Sequence, residues 1–223
     1  KAVDDYNMIE DGDKIAVGVS GGKDSLALLY ALSGLRKFYP KKFDIVALTV
    51  NLGFENQDFN LIKDFCKNLD VECKIIDTEI GDIVFHKRKE SNPCSLCAKM
   101  RKGSLNDVAK KMGCNKVAYA HHRDDMIETM LMSLIYEGRF HCFNPVTYLD
   151  RMGLNVIRPM MYVSEMDVIG FANKYNLPVA KNPCPVDGHT KREYIKTLVR
   201  QLNRENPNCK DRLFTAVLNG GFD

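Results

Sequence analysis

The stretch Ser20-Gly21-Gly22-Lys23-Asp24-Ser25 constrains the fold of this chain more than any other. It follows an unbroken apolar run, Ile15-Ala16-Val17-Gly18-Val19, with the length and β-branched content of a strand buried on both faces of a parallel sheet. Leu26, Leu28, Leu29, Leu32 and Leu35 then recur at helical spacing. The loop therefore joins a strand end to a helix start, where backbone N–H groups lack intrahelical partners and the dipole favours an anion. Gly21 and Gly22 let the backbone approach a ligand closely, and Ser20, Asp24 and Ser25 can cap the helix or bind a phosphate or its magnesium. A Walker A loop is excluded. It needs four residues before Gly-Lys and Ser or Thr after the lysine, whereas three residues separate Gly18 from Gly22-Lys23, and Asp24 follows. The plainer alternative is a glycine-rich turn that only starts a helix.

Strands and helices alternate beyond the loop. Further strands are expected at Phe43–Val50, Cys73–Ile76, Lys116–Ala120 and Val156–Pro159, and helices at Asn56–Leu69, Ser95–Met112, Asp124–Tyr136 and Ser164–Tyr175. This rhythm predicts an α/β fold, a doubly wound, Rossmann-like parallel sheet over residues 1–180. Ligands of such sheets sit beyond the carboxyl ends of the strands. The glycine loop, Thr49 and His121-His122 all fall at such ends. Residues 181–223 read as a short C-terminal helical region, with an irregular loop Asn182-Pro183-Cys184-Pro185 and an amphipathic helix Thr190–Asn206. On that helix Arg192, Lys196, Arg200 and Arg204 are spaced by four and form a stripe able to follow a phosphate backbone; a solvated face is the bland alternative.

The net charge of +3 hides an asymmetry. Eight Lys or Arg against two acids lie between His86 and Lys111, and eight against four between Lys181 and Arg212. Both basic segments carry cysteines, which suits an approaching polyanion. No apolar run reaches the ~20 residues of a membrane span. No secretory signal is visible, and Lys1 is not a natural start, so a missing N-terminal stretch is expected. Eight cysteines without such a signal suit a reducing compartment.

Cys94-Ser95-Leu96-Cys97 is a C-x-x-C pair at a helix start: a redox dithiol, half of a zinc site, or a pair of cluster ligands. Its basic neighbourhood, including Lys99, Arg101 and Lys102, is expected to lower the thiol pKa. Cys184 lies far off in sequence. If the sheet returns it to the pair, three thiolates meet. A structural zinc site closes with four ligands, and His189 can be the fourth; a 4Fe-4S cluster on three cysteines leaves one iron open. Cys66, Cys73, Cys114, Cys142 and Cys209 are read as core thiols. In His121-His122-Arg123-Asp124-Asp125, adjacent histidines at a strand end diverge, so joint ligation of one ion is not expected. An acid here can hold magnesium on a nucleotide or cap the next helix.

Together these motifs resemble one family. The S-G-G-x-D-S loop is that of PP-loop ATP pyrophosphatases, which split ATP between its α and β phosphates. The resemblance to the tRNA-cytidine 2-sulfurtransferases within that superfamily spans nearly the whole chain. It runs from Asp5-Tyr6-Asn7-Met8-Ile9 through the loop, Pro93-Cys94-Ser95-Leu96-Cys97, His121–Asp125 and Ile157-Arg158-Pro159 to Cys184. It implies a cytoplasmic, dimeric enzyme that binds ATP with Mg²⁺ through Ser20, Gly21, Gly22, Lys23, Asp24, Ser25, Thr49, His121 and Asp124. It implies a 4Fe-4S cluster on Cys94, Cys97 and Cys184, a tRNA substrate contacted by Arg192, Lys196, Arg200 and Arg204, and sulfur from a cysteine desulfurase. Lys23 is implied to stabilise the departing pyrophosphate, with Arg101 and Asp124 facing the adenylate. The expected target is cytidine 32. Ala120, where relatives often carry glycine, and the lack of a second cysteine near Cys184 leave a uridine-type target as an alternative. Two rival functions remain: an amine-ligating relative such as tRNA lysidine synthetase, and a nucleotide-binding protein with a structural zinc on three cysteines and His189.

Overall fold

The structure, a computed structural model, describes residues 1–54, 58–88, 93–180, 184 and 190–220. Six strands form one sheet: β1 (Asp13–Gly18), β2 (Phe43–Asn51), β3 (Glu72–Asp77), β4 (Lys116–Ala118), β5 (Val146–Leu149) and β6 (Leu154–Ile157), in the order β3-β2-β1-β4-β6-β5. All neighbouring pairs are parallel except β5–β6. The expected wholly parallel sheet thus acquires an antiparallel edge. The cause is local: only four residues separate β5 from β6, and Gly153 takes a left-handed φ of +64°. So short a link closes a hairpin and never a parallel crossover.

Around the sheet lie α1 (Ala2–Asp5), α2 (Lys23–Leu35), α3 (Asn60–Asn68), α4 (Ile80–Asp82, prolonged by a π-helical turn Ile83–Lys87), α5 (Pro93–Lys111), α6 (Arg123–Glu137), α7 (Glu165–Lys174), α8 (Lys191–Glu205) and α9 (Cys209–Asn219). The expected start of the second helix at Asn56 lies outside the described residues. β1 shows why its sequence reads as continuously apolar: Ile15 and Val17 join Leu26 and Leu29 on one face, while Ala16 joins Val46, Leu48 and Leu105 on the other. Both faces are covered, so Ile15, Ala16 and Val17 are all buried.

The C-terminal helices are docked onto α6. Ile195 and Val199 of α8 pack with Ile127, and Leu213 and Phe214 of α9 flank them. Val217 of α9 is fully buried in the main core. Among the described residues no helix is long and apolar enough to cross a membrane.

Candidate active site

The carboxyl ends of β1, β2 and β4 open into a cleft of about 330 Å³. Ser20, Asp24 and Ser25 line one side, Ala98, Arg101, Lys102 and Leu105 of α5 another, and Tyr119, His121 and Asp125 a third. Gly18 makes the floor possible: a Cβ there would lie 3.2 Å from Leu105 Cδ1 and 3.3 Å from the Tyr119 ring.

The glycine loop is held by its own serine. The Ser20 N–H donates to Ser25 Oγ at 3.1 Å, and the Ser25 hydroxyl donates to the Gly22 carbonyl at 2.9 Å. No side chain caps α2, contrary to one sequence expectation, because Ser25 is spent inside the loop. The first N–H groups of α2 keep their capacity for an anion. Gly21 has φ +83° and its carbonyl accepts from the Ala180 N–H at 3.0 Å. Ala180 is thereby tied to the loop.

Cys94 and Cys97 occupy the first turn of α5, opened by Pro93 at the position where a missing N–H costs nothing. Their thiols feel Cys184: burial, then the neighbouring Cys184, holds Cys94 above the ordinary thiol pKa. Burial raises Cys97 as well, against Arg101 and with Cys184 and Cys94 adding to the rise. The expected lowering by basic neighbours is therefore overturned: burial and mutual thiolate repulsion outweigh Arg101. Among the described residues no three Cys, His, Asp or Glu side chains gather at metal-ligand distance. The three thiols are neighbours in one field, a donor set of the kind that an iron–sulfur cluster takes. His189, the proposed fourth zinc ligand, lies outside the described residues.

The histidine pair diverges as its strand-end position requires. His122 turns back to α6: its Nδ1 accepts from the Asp125 N–H at 3.3 Å while Asp125 Oδ2 accepts from the His122 N–H at 2.9 Å. Its Nε2 lies 3.7 Å from Asp24 Oδ1. His121 packs on Phe143, ring centroids 4.7 Å apart, with Nδ1 buried and unpartnered. Burial, then Arg158 and Lys102, pushes its pKa down to about 3. Arg158 itself is buried, donates to the Asn144 carbonyl and, at 3.1 Å, to Thr147 Oγ1, and is lowered by burial to about 10, so it stays charged. The atoms crowding the Lys102 ammonium, with Arg158 and Arg192, lower its pKa too. Around His121 the field is cationic, from Arg158, Lys102 and Arg192, while Asp24 and Asp125 bring carboxylates to the same cleft.

Several sequence-picked residues stand elsewhere. Thr49 is buried on the opposite face of β2 from Leu48 and Val50, which line the cleft. Asp124 points away: it is ion-paired with Lys210 of α9, and its Oδ2 accepts from the Glu165 N–H at 2.8 Å. Its neighbour Asp125 lines the cleft instead. Lys23 does not line the cleft; its ammonium reaches Asp24 on the cleft's rim and Glu165 behind it. In the α8 stripe, Arg192 is bound to Glu128 at 3.1 Å and Lys196 to Glu165 at 2.5 Å, leaving Arg200 and Arg204 exposed. Sequence reasoning missed Lys102, Tyr119, Glu165 and Lys210. Adjacency to Arg101 was a signal for Lys102; nothing local marks the other three.

A strand, a glycine loop carrying its own serine latch, and a helix with an uncapped N-terminus define a PP-loop nucleotide-binding domain, and the family model described as "PP-loop domain" matches residues 2–203. The tRNA-cytidine(32) 2-sulfurtransferase of Geobacter metallireducens is 40% identical over 222 residues, covering 98% of this chain and 86% of its own length. That of Geobacter sulfurreducens is 39% identical with the same coverage of 98% and 86%. Among solved structures, the U34-tRNA thiolase NcsA from Methanococcus maripaludis, with its 4Fe-4S cluster, aligns at a TM-score of 0.79 and 26% identity over 96% of this chain and 73% of that one. The chain belongs to the tRNA-cytidine(32) 2-sulfurtransferase family of PP-loop proteins.

Proposed function

We propose that the chain is an ATP-dependent tRNA thiolase that replaces the C2 oxygen of cytidine 32 with sulfur, forming 2-thiocytidine, AMP and pyrophosphate. The observation that supports this reading is a cleft lined by the glycine loop and by Ala98, Arg101 and Lys102 of α5, the helix whose first turn carries Cys94 and Cys97, with Cys184 close enough to act on both thiols. ATP lies with its phosphates at the N-terminus of α2, held by the loop N–H groups, Ser20 and Lys23. Mg²⁺ is held by Asp24 and Asp125, the carboxylates of the cleft. The base oxygen attacks the α-phosphorus, and the bond to pyrophosphate breaks. Positive charge from Arg101 and Lys102 stabilises the charge that builds on the phosphoryl oxygens. A sulfur nucleophile then adds at C2, the C2–O bond breaks, and AMP leaves with the base's former oxygen. Adenylation is what makes a poor leaving group into a good one.

Cys94, Cys97 and Cys184 fit a 4Fe-4S cluster, which when bound supplies an iron without a protein ligand for holding sulfur. Sulfur originates from a cysteine desulfurase. The tRNA backbone runs along Arg200 and Arg204, the exposed members of the α8 stripe. A uridine target is the second reading, favoured by the likeness to the U34 thiolase.

Nucleoside mass spectrometry of tRNA from cells lacking the gene, re-expressing wild type or Cys184→Ser, tests the reading. Wild type is expected to restore 2-thiocytidine, and the variant to lose it along with anaerobically bound iron while keeping ATP binding. Restoration of 2-thiouridine instead would transfer the proposal to a uridine base. Unchanged thiolation by Cys184→Ser would remove the ligand assignment.

A further inference from the structure

Lys23 opens α2 beside the loop, yet it does not line the cleft. It lies 3.1 Å from Asp24 Oδ1 and 3.3 Å from Glu165 Oε1. That same Glu165 oxygen lies 2.5 Å from Lys196 Nζ of α8. One carboxylate oxygen thus serves two ammonium groups, one from the nucleotide loop and one from the helix whose exposed end carries Arg200 and Arg204. The site is sheltered, with the Glu165 side chain only 13% exposed. It is also fixed: the Glu165 N–H is bound by Asp124, which Lys210 holds in place. Partial burial lowers the Lys23 pKa, but Asp24 and Glu165 outweigh that and leave it raised. Lys23 is therefore a cation stored on carboxylates.

We propose that Glu165 is a positioning residue that competes with nucleotide phosphates for Lys23 and so couples ATP binding to the state of α8. This rests on the reading of the loop as a pyrophosphate site. When phosphates take Lys23, Glu165 is left to Lys196 alone and α8 is held more firmly on α7. When an anionic backbone draws Lys196 outward, Glu165 turns to Lys23 and weakens its grip on pyrophosphate. The coupling is reciprocal, as linkage demands. Docked tRNA thereby eases the release of pyrophosphate once the base is adenylated.

Calorimetric titration with MgATP of wild type, Glu165→Gln, Lys196→Met and the double variant tests this, with thermal melting of each as a control. Freed of its competitor, Lys23 in Glu165→Gln is expected to bind MgATP about two- to fivefold more tightly, the range of one partly exposed ion pair. Lys196→Met is expected to bind about as much more weakly, since Glu165 then has only Lys23. The double variant is expected to match Glu165→Gln, because Lys196 acts solely through Glu165. A merely structural role would weaken both single variants and add in the double. Unchanged or weaker binding by Glu165→Gln, or a Lys196 effect that persists in the double variant, overturns the proposal. Should Glu165→Gln fail to fold, Lys196→Met decides with its melting: weaker binding at an unchanged melting temperature supports the competition, while unchanged binding, or weaker binding only alongside a lowered melting temperature, overturns it. Wild type that binds no MgATP overturns the nucleotide reading and this coupling together, an outcome distinct from the others.

Discussion

His121 enters the site as a neutral ring. With its pKa at about 3 against an ordinary 6.5, the unfolded chain binds a proton between these values that the native chain does not. Stability therefore rises with pH across that window and falls as pH drops below about 6.5, by up to about 1.4 kcal/mol per pH unit for one proton. His121→Gln is expected to remove that slope, measured by urea denaturation at pH 7 and pH 5; equal slopes in both proteins would contradict the buried neutral ring. The two acids after it divide the labour. Asp124→Asn strips Lys210 of its partner and is expected to cost about 1–3 kcal/mol of unfolding free energy, less than a fully buried pair because Lys210 reaches water. Asp125→Asn is expected to leave stability within about 1 kcal/mol, since Asn can still accept from the His122 N–H, and to lower thiolation about tenfold or more. Denaturation and thiolation measured on both variants separate the roles; a reversed pattern would return catalysis to Asp124.

Helix α8 shows how one regular stripe can serve two purposes. Four cations at a spacing of four were legible in the sequence, but their partners were not. Glu128 and Glu165 sit on α6 and α7, and only tertiary packing brings them to Arg192 and Lys196. Removing Arg200 and Arg204 together is expected to shallow the logarithmic salt dependence of tRNA binding by about two, roughly one per lost phosphate contact. Filter binding between low and moderate salt checks this; an unchanged slope would place the tRNA elsewhere. The glycine loop and β1 were legible because their signals are local: a doubly buried run, two glycines and a leucine repeat. The β5 strand was not, since Val146–Leu149 is short and, among the described residues, pairs only with β6 at the sheet edge. Thr49 was placed at the correct strand end but on the wrong face, because a continuously apolar strand has no alternation to show which side meets the cleft.

At the scale of the molecule, the parallel sheet sets the loop, α5 and the His121–Asp125 turn around one cleft, and Cys184 comes close enough to Cys94 and Cys97 of α5 to act on both thiols. The Cys-x-x-Cys motif and the lone cysteine were both visible in sequence, whereas their shared neighbourhood required the fold. So did the burial that raises Cys94 and Cys97 where charge counting expected the opposite. The docking of α8 and α9 through Ile195, Val199 and Val217 makes the C-terminal helices part of the same body as the nucleotide loop. Such an arrangement allows one chain to adenylate a base and then displace the adenylate without releasing it. The fate of the base oxygen reports on that sequence of events directly. With tRNA carrying ¹⁸O at C2 of cytidine 32, anaerobically reconstituted protein, ATP and a sulfur source, the label is expected in AMP, in step with the 2-thiocytidine formed. Thiolation accompanied by unlabelled AMP would contradict adenylation of the base.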